Sequence, residues 1–426
     1  MKKKESEPTM SIGIENGVFG INFSAFGTVV LAVFVLLLGV AIKKKWKFAQ
    51  TYCIPTPVIG GVIFAVLNLL CHISGAVSIG LDTAYQNDFQ YMFFTIVGFG
   101  ASISLLKKGG SKLLVYFVMV GVIIILQSAI GVSMAKLVGL PAAFGIVCGP
   151  APLAGGHGSV AAYAQLLEDL GYDGAMVAGM AAATYGLIVG SFFGGPLGER
   201  LIRKNHLKTP VGLTAESALK EEDAAMEAAE EKITADLIFK HIALIGGFMV
   251  LGSLLGTYLS KGLAALTGNA ISLPGFCGPM IVAFAFRNIN EKTKWLRIND
   301  TVLSGMEDLS LGIFLSMAMI GLKLWQIIDL ALPMLAILAV ETVVTLAVIY
   351  FVVFRVIGRD YEAAACCSGL CGHGFGATPN GVANLGAIAD RFGYPKMAYI
   401  IVPIVGGFLQ DLFLVPINVL LINWFA

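Results

Sequence analysis

Apolar residues along this chain gather into runs separated by short charged segments, and a run of about 20 helical residues is what crosses a hydrocarbon core of roughly 30 Å. Ten such runs are expected to span a membrane as helices: 23–42, 57–71, 89–106, 113–135, 173–196, 237–258, 273–286, 301–322, 330–354 and 397–424. Two stretches at the same depth break the pattern. One reads C-G-P-A-P-L-A-G-G-H-G-S-V-A-A over 148–162, the other C-C-S-G-L-C-G-H-G-F-G-A-T-P-N-G-V-A-N over 366–384. Their Gly, Pro and Asn content cannot hold one continuous helix. Unpaired peptide groups in hydrocarbon cost several kcal/mol each, so broken backbone is tolerated there only inside protein or beside a watery cavity. Each stretch is therefore expected to form a re-entrant hairpin, over about 139–170 and about 361–392.

The two breaks belong to two related halves. At an offset of about 220 residues Ala142-Ala143 matches Ala363-Ala364, Cys148-Gly149 falls on Ser368-Gly369, Val160-Ala161 matches Val382-Ala383, and Gly171-Tyr172 matches Gly393-Tyr394. G-G-H-G at 155–158 answers C-G-H-G at 371–374. Lysine and arginine orient the spans: with Lys43 to Lys47 cytoplasmic, alternation leaves outside only Lys2, Lys3, Lys4, Lys136, Lys261 and Lys323 among the 28 basic residues. Both termini then face out, the first hairpin enters from outside and the second from inside. The expected organisation is an N-terminal repeat over 1–202, a linker over 203–236 whose Ala, Glu and Lys content from 214 to 232 suggests an exposed helix, and an inverted C-terminal repeat over 237–426. This makes an all-α polytopic membrane protein of two inverted five-helix repeats. Inverted repeats with broken segments in corresponding positions are the pattern of a secondary transporter, with its site where the breaks meet.

Composition agrees and excludes other classes. Of the 426 residues 57% are hydrophobic and 13% charged, the mean hydropathy is +0.84 and the net charge +1, which suits neither a soluble domain nor a nucleic-acid partner. The seven cysteines have no paired metal spacing and read as small apolar packers. No removable signal peptide is expected at the basic start. An intramembrane enzyme would need an acid, base or metal cluster that the scattered His and Asp do not supply, and a channel usually builds its pore from identical filters around an axis.

Residue types at the breaks suggest the load. Gly155, Gly156, Gly158, Gly372, Gly374 and Gly376 let bare backbone approach a small ligand. Helices leaving the tips would aim partial positive charge at an anion, while turn carbonyls with Ser159, Thr378 and Asn380 suit Na⁺. His157 and His373 fit backbone bonding or substrate contact better than metal ligation. Glu341 and Asp411, carboxylates in apolar spans, are functional or else protonated and paired. Gln127 and Thr184 are explained equally by interhelical bonds, and Gly186, Gly190, Gly194 and Gly195 by close packing.

The chain resembles the bacterial sodium/glutamate symporter family. The likeness is carried by G-G-H-G at 155–158, G-L-K-L-W at 321–325 followed by A-L-P-M-L-A-I-L from Ala331, G-A-T-P at 376–379 and F-G-Y-P-K-M-A from Phe392. It implies ten spans with two re-entrant hairpins, a homodimer in the cytoplasmic membrane, elevator-like movement and sodium-coupled glutamate uptake without an organic cofactor. Glu341 stands where the family pattern leads one to expect an amide. With the residue chemistry, the expected substrate contacts are Gly155, Gly156, His157, Gly158, Ser159, Gly374, Phe375, Gly376, Ala377, Thr378, Asn380 and Asp411. Expected sodium ligands are Gln127, Thr184, Glu341, Gly372, His373 and Pro379. The competing reading is a proton- or sodium-coupled carrier of another small dicarboxylate or amino acid.

Overall fold

The computed structural model describes residues 9–15, 18–104, 110–210, 233–267, 273–326 and 329–426. The expected helix at 214–232 lies outside the described residues. Helices run in the order α1 (Ala25–Lys43), α2 (Lys47–Thr51), α3 (Thr56–Ser74), α4 (Gln86–Gly100), α5 (Gly110–Leu137), α6 (Phe144–Val147), α7 (Pro150–Leu153), α8 (Gly156–Asp169) and α9 (Ala175–Lys204). There follow α10 (Ala235–Thr267), α11 (Cys277–Thr293), α12 (Asp300–Ile320), α13 (Ala331–Ile357), α14 (Tyr361–Gly374), α15 (Thr378–Phe392) and α16 (Lys396–Phe425). Single π turns interrupt α13 at Ile349–Val353 and α16 at Val405–Leu409.

Among the described residues eight helices are long and apolar enough to cross a membrane: α1, α3, α5, α9, Ala235–Ala265 of α10, α12, α13 and α16. The expected spans at 89–106 and 273–286 correspond to α4 and α11, which have only 15 and 17 residues. They pack along each other, with Phe94 and Phe276 stacked at 4.1 Å. A second departure is a small sheet that the all-α expectation left out. β1 (Met10–Glu15) pairs antiparallel with β2 (Val18–Phe23), and β2 pairs parallel with β3 (Val77–Leu81). The segments are too short and too mixed to compete with the helical runs.

The helices sort into two packed groups. One consists of α1, α3, α4, α10, α11 and α12; the other of α5 to α9 and α13 to α16. Contact between the groups is sparse, chiefly α8 with α12 and α4 with the π turn of α16. The second group holds both broken stretches and most of the large buried core. The first is thin and leaves long apolar faces uncovered, as at Phe34 of α1 and Val250 and Tyr258 of α10, which are 66, 65 and 70% exposed. Such faces suit lipid, because burial against water drives nothing inside a bilayer.

Close backbone crossings hold the thin group together. A Cβ on Gly278 of α11 would lie 1.9 Å from the Gly252 carbonyl of α10, and one on Gly39 of α1 would lie 2.0 Å from the Thr56 carbonyl of α3. No flexible side chain can yield at either contact. Gly278→Val is expected to push α10 off α11 and to cost on the order of 1–3 kcal/mol, read as a lower melting temperature of the detergent-solubilised protein. Gly246→Val, where no atom lies within 4 Å, should melt close to wild type.

Candidate functional site

Both broken stretches fold as hairpins, and helix α9 is the ruler against which they lie. The first comprises α6, α7 and α8. Its two flanks meet the same residue: the Lys136 ammonium sits 4.7 Å from the Phe425 ring, and the Tyr172 hydroxyl donates to the Phe425 carbonyl at 3.3 Å. The second comprises α14 and α15, and its base is closed by the Tyr361 hydroxyl donating to the Gly393 carbonyl. Along α9, which at 30 residues and 1.5 Å per residue is about 45 Å long, the first hairpin packs near the N-terminal end through Gly179 against Val147 and Val160. The second packs on the C-terminal half, where glycines recur every fourth residue. Gly186 meets the Phe375 carbonyl, Gly190 the Cys371 carbonyl, Gly194 the Asn384 amide and Gly198 the Ser368 side chain. The bases lie toward opposite ends of α9.

The tips meet between Thr184 and Leu187. His157 bonds Thr184 at 3.0 Å, and the Asn380 amide donates to the Leu187 carbonyl at 3.0 Å. They also touch directly. Gly156 has φ +66°, and a Cβ there would lie 2.5 Å from the Gly376 carbonyl. Glycine is required twice over at this one position, by conformation and by approach.

Buried polar side chains stitch the tips together. Gln410 of α16 donates its amide to the Ala154 and Gly406 carbonyls at 2.8 and 2.9 Å. Its oxygen therefore accepts from His373 Nδ1 at 3.0 Å, and His373 Nε2 accepts from the Tyr116 hydroxyl at 2.6 Å. This chain ties α5, the first tip, the second hairpin and α16. Gln127 of α5 donates to the Gly374 carbonyl at 3.0 Å. The Thr184 hydroxyl donates to the Met180 carbonyl, so His157 Nε2 donates to Thr184 and Nδ1 is left as an acceptor.

Most expected site residues are thus brought to one place. Gly155, Gly156, His157, Gly158 and Ser159 open α8; Gly374, Phe375, Gly376, Ala377, Thr378, Pro379 and Asn380 form the second turn. Three of the expected residues have other surroundings. His373 is fully buried with both ring nitrogens bonded, which leaves no lone pair for Na⁺. Asp411 lines a small apolar hollow with Val97, Gly98 and Ala101 of α4 and Met280 of α11, on the seam between the two groups. Gly372 packs closely on α15, with a Cβ position 2.2 Å from the Gly381 nitrogen, and its carbonyl accepts from the Ala377 N–H at 3.3 Å. Glu341 is fully buried, with Oε1 beside Gly149 and facing the Gly131 backbone N–H, and neither carboxylate oxygen makes a hydrogen bond of ordinary geometry. Gln127 Oε1 and Asn380 Oδ1 are also buried without partners. Sequence reasoning missed Gln410, Tyr116 and Asn384. Gln410 carried a signal as a polar residue inside an apolar run; Tyr116 carried none, because an aromatic in such a run is ordinary.

Two helical hairpins that meet tip to tip across an apolar bundle, with uncommitted oxygens beside the meeting point, define a membrane carrier. Known proteins agree with that class. A family profile described as sodium/glutamate symporter matches residues 21–394. The sodium/glutamate symporter of Escherichia coli K12 is 35% identical over 398 residues, covering 92% of this chain and 95% of its own. That of Haemophilus influenzae Rd is 33% identical over 396 residues with the same coverage. The chain belongs to the sodium/glutamate symporter family and is a transporter, not an enzyme. Among solved structures, the sodium proton antiporter MjNhaP1 of Methanocaldococcus jannaschii aligns over 94% of this chain and 98% of its own at 14% identity and a TM-score of 0.41, too slight a likeness to bear on the fold.

The tip contact makes a specific prediction. Gly156→Ala should drive the tips apart and reduce substrate uptake at least tenfold at unchanged expression. Gly171→Ala, also at positive φ (+93°) but with nothing within 4 Å, should retain most uptake. Equal loss in both would mean that backbone strain, not tip contact, matters.

Proposed function

We propose that this chain is a sodium-coupled L-glutamate symporter of the cytoplasmic membrane, moving its substrate by an elevator-like displacement of the group that carries the hairpins. The observation that carries this reading is the contact of Gly156 with the Gly376 carbonyl, beside Thr184 to Leu187 of α9. Helices α8 and α15, of 14 and 15 residues, both begin at that contact. The first N–H groups of α8, and that of Thr378 in α15, lack intrahelical partners and carry partial positive charge, so they favour a carboxylate; in α15 Pro379 has no N–H and the Asn380 N–H is taken by the Ala377 carbonyl at 3.1 Å. Gly155, Gly156, Gly158, Ser159, Gly374, Gly376, Ala377 and Thr378 are the proposed cradle, with His157 Nδ1 available to the substrate ammonium. Phe375 packs behind it.

Oxygens without hydrogen-bond partners suit a hard cation that dislikes nitrogen and sulfur. Glu341, Gln127 Oε1 and Asn380 Oδ1 are the proposed sodium ligands, with Thr184 and turn carbonyls, that of Pro379 included, supplying the rest. An ionised carboxylate in such a place needs a cation. The names of the relatives favour glutamate and Na⁺ as the load.

The same reading takes α4 and α11 as short spans, giving ten in two inverted repeats over 1–202 and 237–426, and puts the basic ends of α1 and α9 inside and both termini outside. The group containing α1 and α10 is the proposed fixed scaffold, its uncovered apolar faces serving lipid and a second copy in a homodimer. Another small dicarboxylate or amino acid as substrate, with proton or sodium coupling, is the second reading, kept open by a carboxylate at Glu341.

Labelled L-glutamate should accumulate in proteoliposomes under an inward Na⁺ gradient and not under an equal K⁺ gradient. Accumulation driven by a proton gradient alone, or of a plain dicarboxylate in preference, would favour the second reading. In Glu341→Gln the Na⁺ concentration for half-maximal uptake should rise about tenfold, equivalent to about 1.4 kcal/mol, with reciprocal weakening of glutamate binding by Na⁺ linkage. Wild-type Na⁺ dependence in that variant would reduce Glu341 to a packed, protonated side chain.

A further inference from the structure

At the end of α9 near the base of the second hairpin, Lys204, Arg355 and Arg359 converge on a pocket of about 160 Å³ with Asn205, Tyr350 and Phe354. Among the described residues none of the three cations has a carboxylate partner, although the cations around them do: Arg203 and Arg391 pair with Glu199, and Lys112 with Asp360. Lys204 sits 5.7 Å from the Tyr350 ring and Arg355 5.8 Å from the Phe351 ring, and Arg355 also donates to the Phe351 carbonyl. Arg359 follows Gly358 at φ +57° and closes α13 through its own N–H to the Phe354 carbonyl at 3.1 Å. The Tyr350 hydroxyl, on the pocket wall, is buried without a hydrogen-bond partner. Three unpaired cations and an idle hydroxyl around one pocket are a complementary set for a phosphate, since guanidinium forks bind its oxygens two at a time.

We propose that this pocket binds the phosphate of an anionic lipid headgroup. Lipid is favoured over free phosphate because the helix face beside the pocket is apolar and open: Phe351, Val352 and Val356 of α13 are 55, 44 and 50% exposed, a surface on which acyl chains lie. Basic pockets between spanning helices take such headgroups on the cytoplasmic side. Only the assignment to the inner leaflet rests on the orientation proposed above; the binding itself does not.

The full chain, purified in detergent, is mixed with phosphatidylglycerol or phosphatidylcholine and lipid retention is read by native mass spectrometry. Wild type is expected to retain phosphatidylglycerol about tenfold more than Lys204→Gln/Arg355→Gln/Arg359→Gln, with no difference for phosphatidylcholine. Lys43→Gln/Lys44→Gln/Lys45→Gln, which removes as much charge elsewhere, should retain it like wild type. Should the triple variant not yield folded protein, Arg359→Gln and Arg355→Lys serve singly, each expected to lower retention severalfold. Equal retention in the pocket variants, or equal loss in the lysine control, overturns the site. Stabilisation of wild type by inorganic phosphate alone, without preference for phosphatidylglycerol, would replace the lipid with a free anion and also overturn the proposal.

Discussion

A chain that breaks its helices inside hydrocarbon must find partners for every backbone group the breaks set free, and this protein meets that constraint by laying both breaks against one long helix. Glycines at 186, 190, 194 and 198 strip one face of α9 to backbone, so the second hairpin can approach to contact distance. Buried amides then take up the loose carbonyls: Asn380 serves Leu187, Asn384 serves Gly190 and Ser368, Gln127 serves Gly374 and Gln410 serves Ala154. Each such bond contributes only about 1 kcal/mol net, but leaving a buried group unpaired costs about 1–3 kcal/mol. The network is therefore chiefly a device of geometry. It holds two helix N-termini at a common point, the proposed seat of a carboxylate.

That constraint explains why the chemistry was legible in the sequence while part of its wiring was not. Broken segments in apolar surroundings announce themselves by Gly, Pro and Asn, and the tips share G-G-H-G at 155–158 and C-G-H-G at 371–374. The polar partners on other helices are another matter. Tyr116 reads like any aromatic in an apolar run, and His373 reads like a ligand at a loop tip until its bonds to Tyr116 and Gln410 are seen. Asp411 follows the same logic in reverse: composition makes it conspicuous, but the turn of α16 that carries Gln410 toward the tips carries its neighbour toward α4. The sheet was missed for a third reason. Five- and six-residue strands beside membrane helices leave too little periodicity to outweigh a hydropathy pattern.

Packing sets the tips beside a seam. The hairpin-bearing group is dense and polar within, and the other is thin, held by Gly–carbonyl crossings and faced with exposed Phe, Val and Leu. Sparse contact between them leaves a seam along α8, α12, α4 and the π turn of α16. A π turn locally relaxes the hydrogen-bond ladder and often marks a functional region. Here it lies beside His373 through Gly406, so the seam and the tip network share one element.

Simultaneous engagement of both tips by one substrate is the most direct consequence of the proposed site. Single cysteines are placed at Gly158 and Thr378, one on each tip, and at Gly171 outside the site, in a background with Cys53 and Cys71 replaced by serine, and the rate of alkylation by a small thiol reagent is measured. Glutamate together with Na⁺ should slow alkylation severalfold at both tip positions and leave the Gly171 position unchanged, with neither solute sufficient alone. Protection at one tip only, or equal rates with and without substrate at both, would contradict a shared site.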